Sequence, residues 1–166
     1  MTDTSTDADR LARLESRLQR VEDELAIHRL LAAYGPLVDA GEADAVAALW
    51  AEDGGYDVEG WQMTSREEVR AMVLSDAHQG LITSGSAHFL GPAAVSVDGD
   101  DAIAVCESLM VLHHEGRYRL WRAGVHHLAL RRAGAGWEIV SRTARALDGS
   151  AEARALLAAG AQGRLR

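Results

Sequence analysis

The chain has 166 residues, a formal net charge of -8 and a single cysteine, Cys106. One domain of that length buries roughly 70% of its unfolded surface without disulfides or a structural metal, and its acidic balance argues against nucleic acid or anionic membrane as a partner. All 17 basic residues are arginine, which removes Schiff-base catalysis, a lysine general base and a lysine-bearing phosphate loop. Gly-rich nucleotide fingerprints and a Gly-x-Ser-x-Gly elbow are also missing from the sequence. The N-terminus MTDTSTDADR lacks the apolar run of a signal peptide, and no segment approaches the ~18 apolar residues of a membrane span. The expectation is a cytoplasmic protein that works without a cofactor or metal, the alternative being a metal held by His and carboxylates.

Thr6, with Asp9 three residues later, makes a capping pair ahead of a helical pattern from about Asp9 to Val38. Leu11, Leu14, Leu18, Val21 and Leu25 keep a heptad spacing for fewer than three heptads, which suits a helix packed on its own domain or on a neighbouring subunit. Gly35-Pro36 predicts a kink, because proline removes one helical hydrogen bond. A short helix at about Ala43 to Trp50, a turn at Glu52-Asp53-Gly54-Gly55 and a short strand from Tyr56 to Trp61 follow. Thr64 or Ser65, each with a glutamate three residues on, caps a helix that carries Val69, Met72 and Val73 inward.

After His78-Gln79-Gly80 the pattern changes period. Turn signals at Asp98-Gly99-Asp100, Glu115-Gly116 and Gly134-Ala135-Gly136 separate strand-like runs near 87–97, 102–113, 117–131 and 137–146. Helices followed by a meander of long antiparallel strands predict an α+β fold with the helices over one sheet face. The expected layout is one domain: 1–8 disordered, 9–25 a helical extension, 26–148 the α+β body, and 149–166 a helix begun at Ser150 with a mobile tail from Ala158.

Several polar residues stand in segments whose patterns predict burial: Tyr34, Asp39, His88 and Arg142. A buried carboxylate, imidazole and guanidinium are costly unless they pair with one another or with a ligand, so together they are a candidate acid/base site. Asp39 is the sharpest member, because Ala40-Gly41 marks a helix end, where negative charge is disfavoured and a histidine partner brings relief. Glu107 is either a second cavity acid or an outward-facing solvated one. Neither His113-His114 nor His126-His127 can chelate one ion alone, since neighbours on a strand face opposite ways. One of His126 and His127 must face the cavity side, and parity with Leu128 and Leu130 favours His126.

The order of a helix with Tyr34 and Asp39, a short helix ending Leu49-Trp50-Ala51-Glu52-Asp53-Gly54, Tyr56 on a strand, a helix after Ser65-Arg66-Glu67, and His88-Phe89-Leu90-Gly91 before a hairpin meander resembles the SnoaL-like branch of the nuclear-transport-factor-like superfamily. The resemblance covers about residues 20 to 148. It implies a cone-shaped α+β barrel in which a curved antiparallel sheet wraps an apolar pocket closed by N-terminal helices. It also implies kinship with scytalone dehydratase, bile-acid 7α-dehydratase and hexachlorocyclohexane dehydrochlorinase, cofactor-free lyases with an Asp-His pair. Tyr34, Asp39, Tyr56 and His88 match the motif positions, and Arg142 matches a last-strand arginine. Tyr34 stands where the dehydrochlorinase has lysine, which makes the dehydratases the nearer comparison.

On this reading Asp39, His88, Tyr34, Tyr56 and Arg142 are catalytic, and His126, Trp50, Trp61, Phe89 and Met110 contact a small apolar or cyclic substrate. The expected activity is dehydration of a cyclic or polyketide-like molecule. An isomerase, a cyclase, an epoxide hydrolase and a non-catalytic binding module remain open on the same scaffold. The helical extension predicts a homo-oligomer, trimer or dimer.

Overall fold

A computed structural model describes residues 6–165. Helix α1 (Asp7–Asp39) begins where the sequence signals, with Thr6 and Asp9 forming a reciprocal capping box. Thr6 is therefore an ordered cap and residues 7 and 8 are helical, contrary to the expected disorder, while residues 1–5 of that segment lie outside the described residues. The helix runs through Pro36 and buries Ile27, Leu31, Tyr34 and Val38 along one stripe. Leu11, Leu14, Leu18, Val21 and Leu25 remain exposed on its N-terminal half.

Helix α2 (Ala43–Ala47) is shorter than expected, because Trp50 already starts strand β1 (Trp50–Val58). The turn expected at Glu52-Asp53-Gly54-Gly55 lies inside β1. Its glycines serve close packing: a Cβ on Gly54 would lie 2.5 Å from the Ile139 carbonyl oxygen. Trp61 is not on the same strand as Tyr56; it opens β2 (Trp61–Met63), which folds back on β1 around Glu59-Gly60. Ser65 caps α3 (Arg66–Leu74) by accepting from the Glu68 N–H, and Ser75 likewise caps α4 (Asp76–Ser84). The sequence reading missed α4, placing a change of period where His78 sits in its first turn.

The meander consists of β3 (Ser86–Leu90), β4 (Ala94–Asp98), β5 (Asp101–His114), β6 (Arg117–Ala133) and β7 (Gly136–Ala146). The run expected at 87–97 is two strands, since Gly91-Pro92-Ala93 interrupts it; both halves pair with β5. Sheet order is β2-β1-β7-β6-β5-β3 with β4 beside β5. All pairings are antiparallel except β1 with β7, so the curled, unclosed sheet is mixed rather than purely antiparallel. Helix α5 (Ala151–Ala161) outlasts the predicted start of the tail, and the Arg164 carbonyl behind it accepts from His127.

The main core lies between the helices and the concave sheet face, around Trp50, Val69, Leu128 and Ile139. A smaller cluster of Val105, Val125, Ala153 and Leu156 fixes α5 to the convex face. One buried ionic tie locks α1 to the β6–β7 hairpin: Arg132 grips Asp23 with both terminal nitrogens, at 2.6 and 2.9 Å, and Trp137 Nε1 donates to it. These donors hold the Asp23 carboxyl at about 2, the Arg132 hydrogen bond contributing most.

Candidate active site

The sheet curls around a cavity of about 220 Å³ that α1, α3 and α4 cover. Asp39 is the last residue of α1, and β3 runs directly beneath it. Asp39 Oδ1 lies 2.7 Å from His88 Nδ1, while its carboxylate also accepts from the His88 backbone N–H at 2.7 Å and from Ser86 Oγ at 3.0 Å. Three donors thus orient one carboxylate, and the carboxylate in turn sets the imidazole: Nδ1 carries the proton, leaving Nε2 as the basic nitrogen of a ring that borders the cavity. Close approach of α1 to β3 makes the contact possible. It requires glycine at position 35, where a Cβ would sit 2.1 Å from the His88 carbonyl oxygen.

The opposite wall is built on the parallel pair of β1 and β7, where Tyr56 is the register partner of Arg142. Arg142 is only 2% exposed and is enclosed by aromatic rings, its guanidinium carbon 3.9 Å from the Tyr34 ring centre and 4.6 Å from that of Tyr56. Its Nε donates to His126 Nδ1 at 3.1 Å, so His126 must carry its own proton on Nε2, which lies 2.9 Å from Ser108 Oγ. Burial, reinforced by the charge on Arg142, pushes the His126 pKa well below the usual histidine range and keeps the ring neutral. Burial likewise raises the Tyr56 phenol, only partly offset by Arg142, so Tyr56 stays a proton donor.

Of the expected site residues, Asp39 and His88 pair, and Tyr34, Tyr56, His88, Arg142, His126, Trp61, Phe89 and Met110 all border the cavity. Trp50 does not. It is fully buried behind the wall, wedged between Tyr34 and Tyr56, with Nε1 donating to the Gly55 carbonyl, because β1 starts there and turns the indole into the core. Glu107 is exposed on the outer sheet face, which leaves the cavity without the second acid that water activation between two carboxylates requires. His127 faces the other way, to α5. Among the described residues no group of three or more His, Cys, Asp or Glu side chains could hold a metal ion together.

Several cavity residues escaped the sequence reading, among them Ser108, Trp121, Arg122 and His78. His78 borders the cavity from α4 and stacks on His88, ring centres 5.6 Å apart and planes at 29°. Its pKa is lowered by burial first and by His88 second, which favours a neutral His78 ring. The available signal was Ser75 followed by Asp76, a helix start that Gln79-Gly80 masked.

The SnoaL-like domain model matches residues 19–143. The chain belongs to the SnoaL-like family. A crystal structure of a nuclear-transport-factor-2-like protein with a cystatin-like fold from Novosphingobium aromaticivorans is 41% identical, with 93% of this chain and 98% of that one covered and a TM-score of 0.86. A protein of unknown function from Mycobacterium tuberculosis is 23% identical over 92% of this chain and 95% of that one, with a TM-score of 0.71. A candidate scytalone dehydratase from Novosphingobium aromaticivorans is 17% identical, with 80% and 87% covered and a TM-score of 0.65. The latter two likenesses show the fold alone. No curated protein matches the chain. No helix among the described residues is long and apolar enough to cross a membrane.

Proposed function

We propose that this SnoaL-like protein is a cofactor-independent dehydratase acting in the cytoplasm on an apolar cyclic or polyketide-like molecule whose reacting C–H bond is activated by a carbonyl. The observation that carries this reading is the 2.7 Å contact of His88 Nδ1 with Asp39, in a cavity whose far wall holds a buried arginine. His88 Nε2 takes the proton, and the C–H electron pair moves toward the carbonyl. Arg142 stabilises the oxygen that gains charge, and the Tyr56 and Tyr34 hydroxyls hydrogen-bond to it. Collapse of the enolate forms the C=C bond and breaks the C–O bond; the departing hydroxide takes the proton from His88 and leaves as water. Asp39 holds the tautomer throughout and stabilises the imidazolium.

An isomerase on the same site would differ only in returning the proton to a different carbon. The exposed position of Glu107 counts against an epoxide hydrolase, and the intact Asp39–His88 contact counts against a non-catalytic binding module. The decisive experiment assays Asp39→Asn, His88→Ala and the double variant on hydroxylated cyclic ketones, following loss of water by mass. Each single substitution should lower turnover roughly 10²–10⁴-fold, and the double variant should be little worse. Fully additive losses, or wild-type turnover in either single variant, would refute a shared mechanism.

A further inference from the structure

The cavity is lined by positive charge and by no acid. Arg142 and Arg122 both border it, yet none of the acidic side chains among the described residues does, in a chain of net charge -8. Arg142 has no carboxylate within ion-pairing distance among the described residues, and its neighbours His126 and Tyr56 are both neutral. The charge on the floor of the cavity is therefore uncompensated by protein.

Arg122 stands at the mouth. A β-bulge leaves Trp121 unpaired between Arg122 and Leu120, the partners of Met110 and Val111, and both Trp121 and Arg122 border the cavity there. Its side chain is 23% exposed, and its Nε is buried without a hydrogen-bond partner. Its ion-pair partner among the described residues, Glu59, belongs to the β1–β2 turn and is not part of the cavity lining, so it meets the guanidinium from the solvent side. Trp61, Phe89, Leu109 and Trp121 surround the same opening with exposed apolar surface.

We infer that the ligand class of this cavity is an apolar cyclic carboxylate, its ring held against the walls and its carboxylate bound by Arg122 in exchange for Glu59. A guanidinium matches a planar carboxylate two bonds at a time, and low-dielectric walls lined by one sign of charge concentrate ligands of the other. The inference deepens the dehydratase reading by naming what its substrate carries, and rests on that reading only in sharing the cavity.

Calorimetry on the full chain with two non-reacting probes of nearly equal shape, 2-naphthoate and 2-naphthamide, tests it separately from any turnover. The wild-type protein should bind 2-naphthoate at least ~10-fold more tightly at low salt, with the preference shrinking as salt is added. Arg122→Gln should abolish the preference while leaving 2-naphthamide affinity within about two-fold, and Glu59→Gln should strengthen 2-naphthoate binding several-fold by removing its competitor. Equal affinity of the two probes in the wild type, including no detectable binding of either, would overturn the inference. So would a preference that survives Arg122→Gln, or one that disappears in Arg142→Gln instead.

Discussion

Gly35→Ala sets two physical effects against each other with opposite signs. Considered as a helix position alone, replacing glycine by alanine inside α1 should stabilise the protein by about 1 kcal/mol. In the folded chain, however, the new methyl would lie 2.1 Å from the His88 carbonyl oxygen, where real contacts are rarely shorter than 3.0 Å, so α1 and β3 must part by close to 1 Å. That oxygen is backbone in a paired strand and cannot swing aside. Overpacking of this kind costs typically 1–3 kcal/mol, which outweighs the helical gain and leaves a net loss of roughly 0–2 kcal/mol. The effect on the site should be larger. Asp39 rides on α1 and His88 on β3, so the same displacement stretches their 2.7 Å contact out of hydrogen-bond range, and a misplacement near 1 Å can reduce turnover on the order of 10²-fold. Urea unfolding gives the stability, and turnover with the His88 proton resonances gives the site. A Gly35→Ala protein that is more stable than wild type and retains full turnover would refute the reasoning.

Asp23 titrates at about 2, below the ordinary 3.8, so its tie to Arg132 contributes stability above pH 3.8 that disappears as pH falls toward 2. Allowing for solvent at the Arg132 end, whose side chain is 25% exposed, urea unfolding at pH 7 and pH 3 should show roughly 0.5–1 kcal/mol of pH dependence that Asp23→Asn removes. Treatment with EDTA should leave turnover and Tm unchanged, since the proposed chemistry uses side chains alone; loss of activity restored by zinc or manganese would contradict it. We propose a homo-oligomer, trimer or dimer, in which the exposed stripe of Leu11, Leu14, Leu18, Val21 and Leu25 packs on a neighbour, because covering each contributes roughly 1.5–3 kcal/mol. Light scattering should show the full chain associated and a chain lacking residues 1 to 20 less so, and a stable full-length monomer at micromolar concentration would refute this.

Much of the site was legible in the sequence because its chemistry is expensive. Asp39, His88 and Arg142 interrupt apolar periodicity, and burying charge without a partner is so unfavourable that such residues announce a pairing before any partner is known. Local signals of similar strength marked the Thr6 cap, the Ser65 cap and the three turns of the meander, since these depend on side chains within a few residues of one another. What depended on distant neighbours was not legible. Trp50 reads as a pocket aromatic, but the start of β1 turns it into the core, and Glu52 to Gly55 read as a turn until β7 pairs alongside them. The parallel pairing of β1 with β7 places Tyr56 beside Arg142 across more than eighty residues of chain, a distance over which no sequence period carries information. His78 meets His88 only because α4 folds over the cavity, and Gly35 matters only because β3 passes beneath it. The sequence by itself determined which residues needed partners; the tertiary structure decided which partners they found, because contact across the cavity is a property of the curled sheet and its covering helices together and not of any one strand or helix.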